Sequence, residues 1–137
     1  MTDFKQGTKN YEIFSANAPY SNSYQGSAPR WLFVCSAGLL RSPTGATMAA
    51  FHGINARSCG SNFNYALIPC TANLILWADR IIFVNQDNFD QLDLNYVGHY
   101  ELLKAIEQKA TVLSIEDEYE YMSSELQQLF NEQLFNK

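Results

Sequence analysis

The stretch VCSAGLLRSPTGA, residues Val34–Ala46, contains a cysteine, a glycine, an arginine and a Ser-Pro pair in close succession. The apolar run WLFV at 31–34 leads into it and predicts a buried strand. After the loop, Ser42 is suited to be the N-cap of a helix, Pro43 to its first position and Gly53 to its end. The stretch therefore predicts a strand, a loop and a helix in direct succession.

The rest of the chain keeps alternating between apolar runs and helical segments. Three further strands are predicted: INARSC at 54–59, RIIFV at 80–84 and TVLSI at 111–115. Helices are predicted between and after them: Pro69–Trp77, a stretch interrupted by Gly98, and a last helix after Ser123 or Ser124. Such repeated units predict an α/β domain with a four-stranded parallel sheet, helices on both faces and right-handed crossovers.

Composition limits the kind of protein this chain can be. Its 137 residues are 47% hydrophobic and 17% charged, which fits one compact domain with a substantial core. The net charge of −5 argues against nucleic acid or an anionic membrane as a partner. We find no apolar signal core at the start and no apolar run of membrane-spanning length. These features predict a cytoplasmic protein.

The N-terminal part of the chain differs from the rest. Residues 1–30 are polar and rich in turn-forming residues without an apolar period, and we interpret them as an arm that precedes the domain at 31–137. The arm carries several aromatic side chains, which give it a surface that can dock on the domain.

The loop after the first strand has the features of a phosphate site. Consecutive backbone N–H groups at the start of a helix form a concave nest for an anion, where the helix dipole adds positive potential. Gly38 allows backbone conformations that other residues resist, and the planar fork of Arg41 matches two phosphate oxygens. We therefore expect the loop to bind phosphate through these residues: Ser36, Ala37, Gly38, Leu39, Leu40 and Arg41.

Cys35 lies at the carboxyl end of the first strand, where parallel sheets place their sites. Converging donors and a guanidinium stabilise a thiolate, which is the nucleophilic form of cysteine. Ser42 either donates its hydroxyl toward the sulfur or caps the helix, and the two roles are compatible. In the competing interpretation, Cys35 is a buried apolar residue and Arg41 a solvated charge. The three cysteines show no spacing typical of a metal site, and their odd number argues against a disulfide framework.

These residues resemble the Cys-x5-Arg-Ser loop of the low-molecular-weight protein tyrosine phosphatases. Further segments are similar to that family in the same order: RSCG at 57–60 to its second-strand RSAG, WADRIIFV at 77–84 to ADxIxxM, and SIEDEYEYM at 114–122 to the acid loop IEDPY. The resemblance covers most of residues 31–137 and implies the sheet order 2-1-3-4.

The resemblance also implies an activity, the hydrolysis of phosphotyrosine or another aryl phosphate monoester through a phosphocysteine intermediate. Cys35 would attack phosphorus, Arg41 and the loop amides would hold the oxygens, and Asp117 would protonate the leaving oxygen. Glu116 and Glu118 remain alternative acids, and Tyr119 would flank the substrate ring. The expected substrate is a phosphorylated protein or a small aryl phosphate, and no metal or organic cofactor is required.

The sequence departs from the family at several positions. Ala37 and Gly38 stand where the family usually has Gly-Asn, so the asparagine that braces the loop is absent. Leu40 replaces a second cysteine that some members carry, and Glu118 replaces the proline of the acid loop. The departures favour, as one alternative, a phosphate-recognition module that lacks efficient turnover.

A second alternative is a redox enzyme similar to the arsenate reductases of this fold, which need two further cysteines on a mobile segment. Cys59 and Cys70 precede the third strand, which is too early in the chain, although Cys59 can approach Cys35 from the neighbouring strand. We expect Phe63 and Tyr65 to be the aromatic residues closest to the pocket mouth, since they follow the second strand. His52 and His99, which we place at or near helix ends, are not expected to be catalytic.

Overall fold

The structure is a computed structural model that describes residues 27–135, so most of the predicted arm lies outside the described residues. Four strands form one sheet: β1 Arg30–Cys35, β2 Asn55–Gly60, β3 Arg80–Phe83 and β4 Ala110–Val112. All neighbouring pairs are parallel and the order is β2-β1-β3-β4. The predicted sheet and its order are confirmed.

In the described part of the chain, five helices and a final π-helical turn surround the sheet: α1 Arg41–Phe51, α2 Ala72–Trp77, α3 Gln86–Asn95, α4 Tyr100–Lys109, α5 Ser124–Phe130 and the turn Asn131–Phe135. The prediction that the second helix starts at Pro69 is wrong, because Pro69 pairs with Gly60 in an isolated bridge. The side chain of Thr71 then accepts the Leu74 N–H and starts the helix. None of these helices is long and apolar enough to cross a membrane.

The sheet separates two apolar clusters, because alternate residues of a strand point to opposite faces. Leu32 and Val34 of β1 pack on the face that α2, α3 and α4 cover, together with Trp77, Leu92 and Ile106. Phe33 and Cys35 pack on the other face, which α1 and α5 cover, together with Met48, Leu126 and Phe130. Helices therefore lie on both faces, as predicted.

The strand register gathers one set of loops at a single edge of the sheet. Cys35 pairs with Gly60 at the ends of β1 and β2, and Phe83 pairs with Val112 at the ends of β3 and β4. Beyond β4 the pairing continues without regular strand geometry, since Leu113 N–H donates to the Phe83 carbonyl. The segments that follow all four strands consequently meet at the carboxyl edge.

Candidate active site

Cys35 is held in place by donors from the loop and from α1. Its side chain is almost fully buried, and Sγ accepts from the Gly38 N–H at 3.2 Å and lies 3.1 Å from Ser42 Oγ. The prediction of Ser42 as N-cap is wrong, because Leu40 occupies that position without a side-chain cap. The buried Ser42 hydroxyl instead faces the sulfur and the Cys59 carbonyl, which is 3.3 Å away. Ser42 therefore contacts the sulfur, the other role the sequence allowed.

Gly38 is required by both its conformation and its surroundings. Its φ of +76° lies in the left-handed region, and a Cβ there would meet the Cys59 carbonyl carbon at 2.9 Å and the Gly60 nitrogen at 3.0 Å. This glycine stands where the resembling family has its bracing asparagine. The loop therefore packs directly on the backbone of β2, at a distance no side chain permits.

The remaining loop amides are available to a ligand. Within residues 27–135, the N–H groups of Ala37, Leu39 and Leu40 donate to no protein acceptor. They precede the first turn of the eleven-residue helix α1, where the helix dipole favours an anion. The side chains of Leu39 and Leu40 are exposed, so their backbone groups rather than their side chains can serve the site.

Arg41 is buried, with only 3% of its surface exposed, and its guanidinium reaches three neighbours. Nη1 donates to the Ile115 carbonyl at 2.8 Å, and Nη2 lies 3.4 Å from Ser36 Oγ. Nε lies 3.6 Å from Asp117 Oδ1. The remaining N–H groups of the fork can bind two oxygens of one phosphate.

The acid loop, which we define as residues 113–123, is fastened to the start of α1. Besides the bond from Arg41 to the Ile115 carbonyl, the Met122 N–H donates to Thr44 Oγ1 at 2.8 Å. Met122 has a φ of +59°, an unfavourable conformation for a residue with a side chain. These contacts hold Asp117 beside the loop at 36–41, which we call the phosphate loop, although the two segments are far apart in the chain.

A cavity of about 190 Å³ lies where these segments meet. Its lining is Ser36, Arg41, Asn85, Asp87, Asn88, Glu116 and Asp117. Sequence reasoning missed Asn85, Asp87 and Asn88, which follow β3 at the start of α3. Their position after a strand that ends at the same edge is the signal that would have found them.

Three aromatic residues predicted near the substrate lie outside that lining. Tyr119 packs against the cluster between the sheet, α1 and α5, and it lines a separate surface hollow with Glu118 and Glu120. Phe63 and Tyr65 are exposed, and the ring of Phe63 contacts Tyr96 instead. Among residues 27–135, no aromatic side chain lines the cavity, and Glu116 lies in it while Glu118 does not.

The two other cysteines lie on the opposite face of the sheet from Cys35. Cys59 and Cys70 are fully buried in the cluster under α2, α3 and α4, whereas Cys35 belongs to the other cluster. Burial and the neighbouring Cys70 thiol raise the pKa of the Cys59 thiol well above its usual range. A thiol of this kind is unreactive, so the arrangement does not favour disulfide relay with Cys35.

The two histidines also lie away from the cavity, each beside a helix end. His52 follows α1 and stacks on the ring of Phe135, with ring centroids 4.8 Å apart. His99 precedes α4 and packs edge-on to Tyr96.

The fold is shared with a solved tyrosine phosphatase. The structure matches the tyrosine phosphatase AmsI of Erwinia amylovora with a TM-score of 0.51 at 16% identity, over 82% of this chain and 89% of that chain. The likeness to AmsI shows that this chain has the fold of a low-molecular-weight phosphotyrosine phosphatase, which the loop motifs predicted.

Two further solved structures are similar, with lower scores. A low-molecular-weight phosphotyrosine phosphatase of Vibrio cholerae O395 matches with a TM-score of 0.48 at 18% identity, over 72% of this chain and 84% of that chain. A YwlE mutant from Bacillus subtilis matches with a TM-score of 0.44 at 20% identity, over 62% of this chain and 71% of that chain. No protein-family model and no curated protein sequence matches this chain.

Proposed function

We propose that this protein is a cysteine-dependent phosphatase that hydrolyses aryl phosphate monoesters, phosphotyrosine above all, through a phosphocysteine intermediate. One observation carries the proposal: Cys35 Sγ accepts the Gly38 N–H, and Ser36 and Arg41 of the same loop line one cavity with Asp117. Cys35 itself is not part of the lining, but Ser36, the residue that follows it, is, so the proposed nucleophile is next in the chain to a cavity that the loop arginine and the proposed acid share.

In the first step, the Cys35 thiolate attacks phosphorus, forming the S–P bond while the P–O bond to the leaving group breaks. Arg41 and the loop amides bind the oxygens on which charge develops. Asp117 gives its proton to the leaving oxygen. Because a phenol has a pKa near ~10, this proton transfer is worth about 10²- to 10⁴-fold in rate.

In the second step, the Asp117 carboxylate takes a proton from a water molecule, whose oxygen attacks phosphorus. The S–P bond breaks, the thiolate is regenerated and inorganic phosphate leaves. Ser42 supports the second step, since its hydroxyl lies 3.1 Å from Sγ and can turn from the Cys59 carbonyl to donate its one proton to the departing thiolate. The chain's own residues supply every group in this scheme, so the proposal needs no cofactor.

The proposed substrate is a phosphorylated protein or a small aryl phosphate in the cytoplasm, with no nucleic acid or membrane as partner. The sequence resemblance supports phosphotyrosine, and the net charge of −5 speaks against polyanionic partners.

Turnover of a chromogenic aryl phosphate tests the proposal. The parent protein should release the aryl alcohol, Cys35→Ser should release none above background, and Cys70→Ala is the matched control because it removes a thiol on the other face of the sheet. Tight phosphate binding by a parent protein without turnover would overturn the proposal in favour of a recognition module. Turnover retained by Cys35→Ser would overturn the role of the thiolate.

A further inference from the structure

Asn88 of α3 connects the phosphate loop to the segment after β2. Its side chain is 1% exposed, and Nδ2 donates to Ser36 Oγ at 3.1 Å and to Ser61 Oγ at 3.3 Å. Ser61 is itself fully buried, and its backbone N–H donates to the Cys35 carbonyl at 2.7 Å. A buried series of hydrogen bonds thus connects Ser61 and Asn88 to Ser36, the residue that follows the proposed nucleophile.

The direction of each hydrogen bond in this chain follows from counting protons. The Ser61 hydroxyl donates its single proton to Gln91 Oε1 at 2.8 Å, so toward Asn88 it can only accept. The carboxamide nitrogen of Asn88 must therefore face the two serines. Its Oδ1 is left buried and without a partner among residues 27–135, a condition that native proteins tolerate rarely and often at functional sites.

The Ser36 hydroxyl can therefore make a further hydrogen bond only as a donor. Its oxygen accepts from Asn88 Nδ2 and lies within reach of Arg41 Nη2 at 3.4 Å. These two donors occupy both lone pairs of the oxygen. In the described part of the chain the hydroxyl proton has no protein acceptor. Ser36, Arg41 and Asn88 all line the cavity in which the phosphoryl group would sit.

We infer that Ser36 donates its hydroxyl proton to an oxygen of the bound phosphoryl group, and that Asn88 is the positioning residue that orients it. The inference rests on the proposed function, because it assigns a side-chain contact to the phosphate of that site. It also supplies a brace for a loop in which Gly38 replaces the asparagine of the resembling family. The brace here comes from α3 rather than from the loop itself.

Binding of inorganic phosphate, measured by calorimetry, tests the inference independently of turnover. Ser36→Ala should weaken phosphate binding about 10- to 100-fold, the usual effect of losing a hydrogen bond to a charged group. Asn88→Ala should weaken it less, and the double variant should bind no worse than Ser36→Ala, because Asn88 acts through Ser36. Asn88→Asp should weaken it more than Asn88→Ala, since a carboxylate would draw the Ser36 proton away from the ligand.

Asn95→Ala is the matched control. It removes an asparagine of the same helix that donates to the Ser61 carbonyl at 2.9 Å, but Asn95 does not line the cavity, so phosphate binding should be unchanged. Ser36→Ala alone decides the matter if the Asn88 variants fail to fold. Unchanged phosphate affinity in Ser36→Ala would overturn the inference, as would additive losses in the double variant.

The outcomes separate the inference from the proposed function. A parent protein that binds phosphate with these effects but turns over no ester upholds the inference and overturns the proposed activity. A parent protein that turns over ester while Ser36→Ala binds phosphate normally overturns the inference alone. A parent protein that neither binds phosphate nor turns over ester overturns both.

Discussion

Arg41 Nε and Asp117 Oδ1 lie 3.6 Å apart, although Arg41 begins α1 and Asp117 follows β4. The arginine is buried while 65% of the Asp117 side chain is exposed, and both residues line the cavity. The same guanidinium holds the Ile115 carbonyl, two residues before the acid. One arginine therefore positions the loop that carries the proposed acid, and in the proposed function the same arginine binds the phosphate.

Asp117→Asn should lower kcat/KM about 10²- to 10⁴-fold for aryl phosphates with poor leaving groups and much less for those with good leaving groups, because only the former need a proton. The measurement is kcat/KM for a series of phenols of different acidity, since this quantity reports the step in which the phenol leaves. Glu118→Gln is the control, since Glu118 is a neighbouring exposed acid outside the cavity lining. An equal loss across the series would contradict the assignment of Asp117 as the acid.

Thr44→Val tests how the acid loop is fastened. Thr44 Oγ1 accepts from the Met122 N–H at 2.8 Å and donates to the Leu40 carbonyl at 2.8 Å, so valine keeps the shape but loses both bonds. We expect a loss of about 1 to 3 kcal/mol in unfolding free energy and a lower kcat with a smaller change in KM.

Thr47→Val is the matched control for this prediction, because the Thr47 hydroxyl makes an exposed contact with the Tyr121 hydroxyl in the same loop and does not bond Met122. It should change stability by less than about 0.5 kcal/mol. If the two variants had the same kcat, the contact between Thr44 and Met122 would not position the acid.

Gly38→Asn would restore the residue type of the resembling family, and we expect it to destabilise the protein by more than about 1 kcal/mol. Asparagine tolerates a positive φ, but its Cβ would lie 2.9 Å from the backbone of Cys59. Gly53→Asn is the control, because Gly53 has a similar φ of +78° with open space around it. Urea unfolding compares the two variants, and equal stabilities would show that the loop does not press on β2.

Asp79→Asn gives a pH-dependent prediction away from the site. Partial burial opposes ionisation of Asp79, but the backbone N–H and guanidinium of Arg30 outweigh it and lower its pKa below the ordinary value of 3.8. Because the pKa is lower in the folded protein than in the unfolded chain, the Asp79 carboxylate stabilises the folded protein at pH values above 3.8. This stabilisation is lost as the pH falls through the pKa of the folded protein. An asparagine side chain carries no charge and cannot make this contribution to stability.

Urea unfolding near pH ~7 should therefore show the Asp79→Asn variant less stable than the parent protein, by less than about 1 kcal/mol since the carboxylate is half-exposed. The difference should shrink below about pH 4. A difference that stayed constant down to about pH 3 would mean that the charge of Asp79 contributes nothing.

Local patterns predicted much of the fold. The apolar run at 31–34, the Ser-Pro pair and Gly53 predicted β1, the loop and α1, and the repeated alternation predicted a parallel sheet with both faces covered. Only the resemblance predicted the strand order.

The contacts that pattern reasoning missed join residues far apart in the chain. Ser42 before Pro43 has the sequence of an N-cap, whereas its partner is the thiol at the end of the preceding strand. Asn88 is 52 positions from Ser36, and although its place after β3 puts it at the same edge of the sheet, the sequence does not show that its side chain contacts Ser36. The resemblance implied that Tyr119 flanks the substrate ring, whereas in the structure Tyr119 packs against the apolar cluster that includes Leu126 and Phe130 of α5.

The covalent state of Cys35 during turnover tests the central claim most directly. The Asp117→Asn variant should accumulate the intermediate, because the carboxylate that activates water is missing. After mixing with an aryl phosphate whose good leaving group needs no proton, and rapid denaturation, peptide mass spectrometry should find one phosphoryl group on the peptide that contains Cys35. Turnover with the phosphoryl group on another residue, or with Cys35 unmodified throughout, would contradict the account.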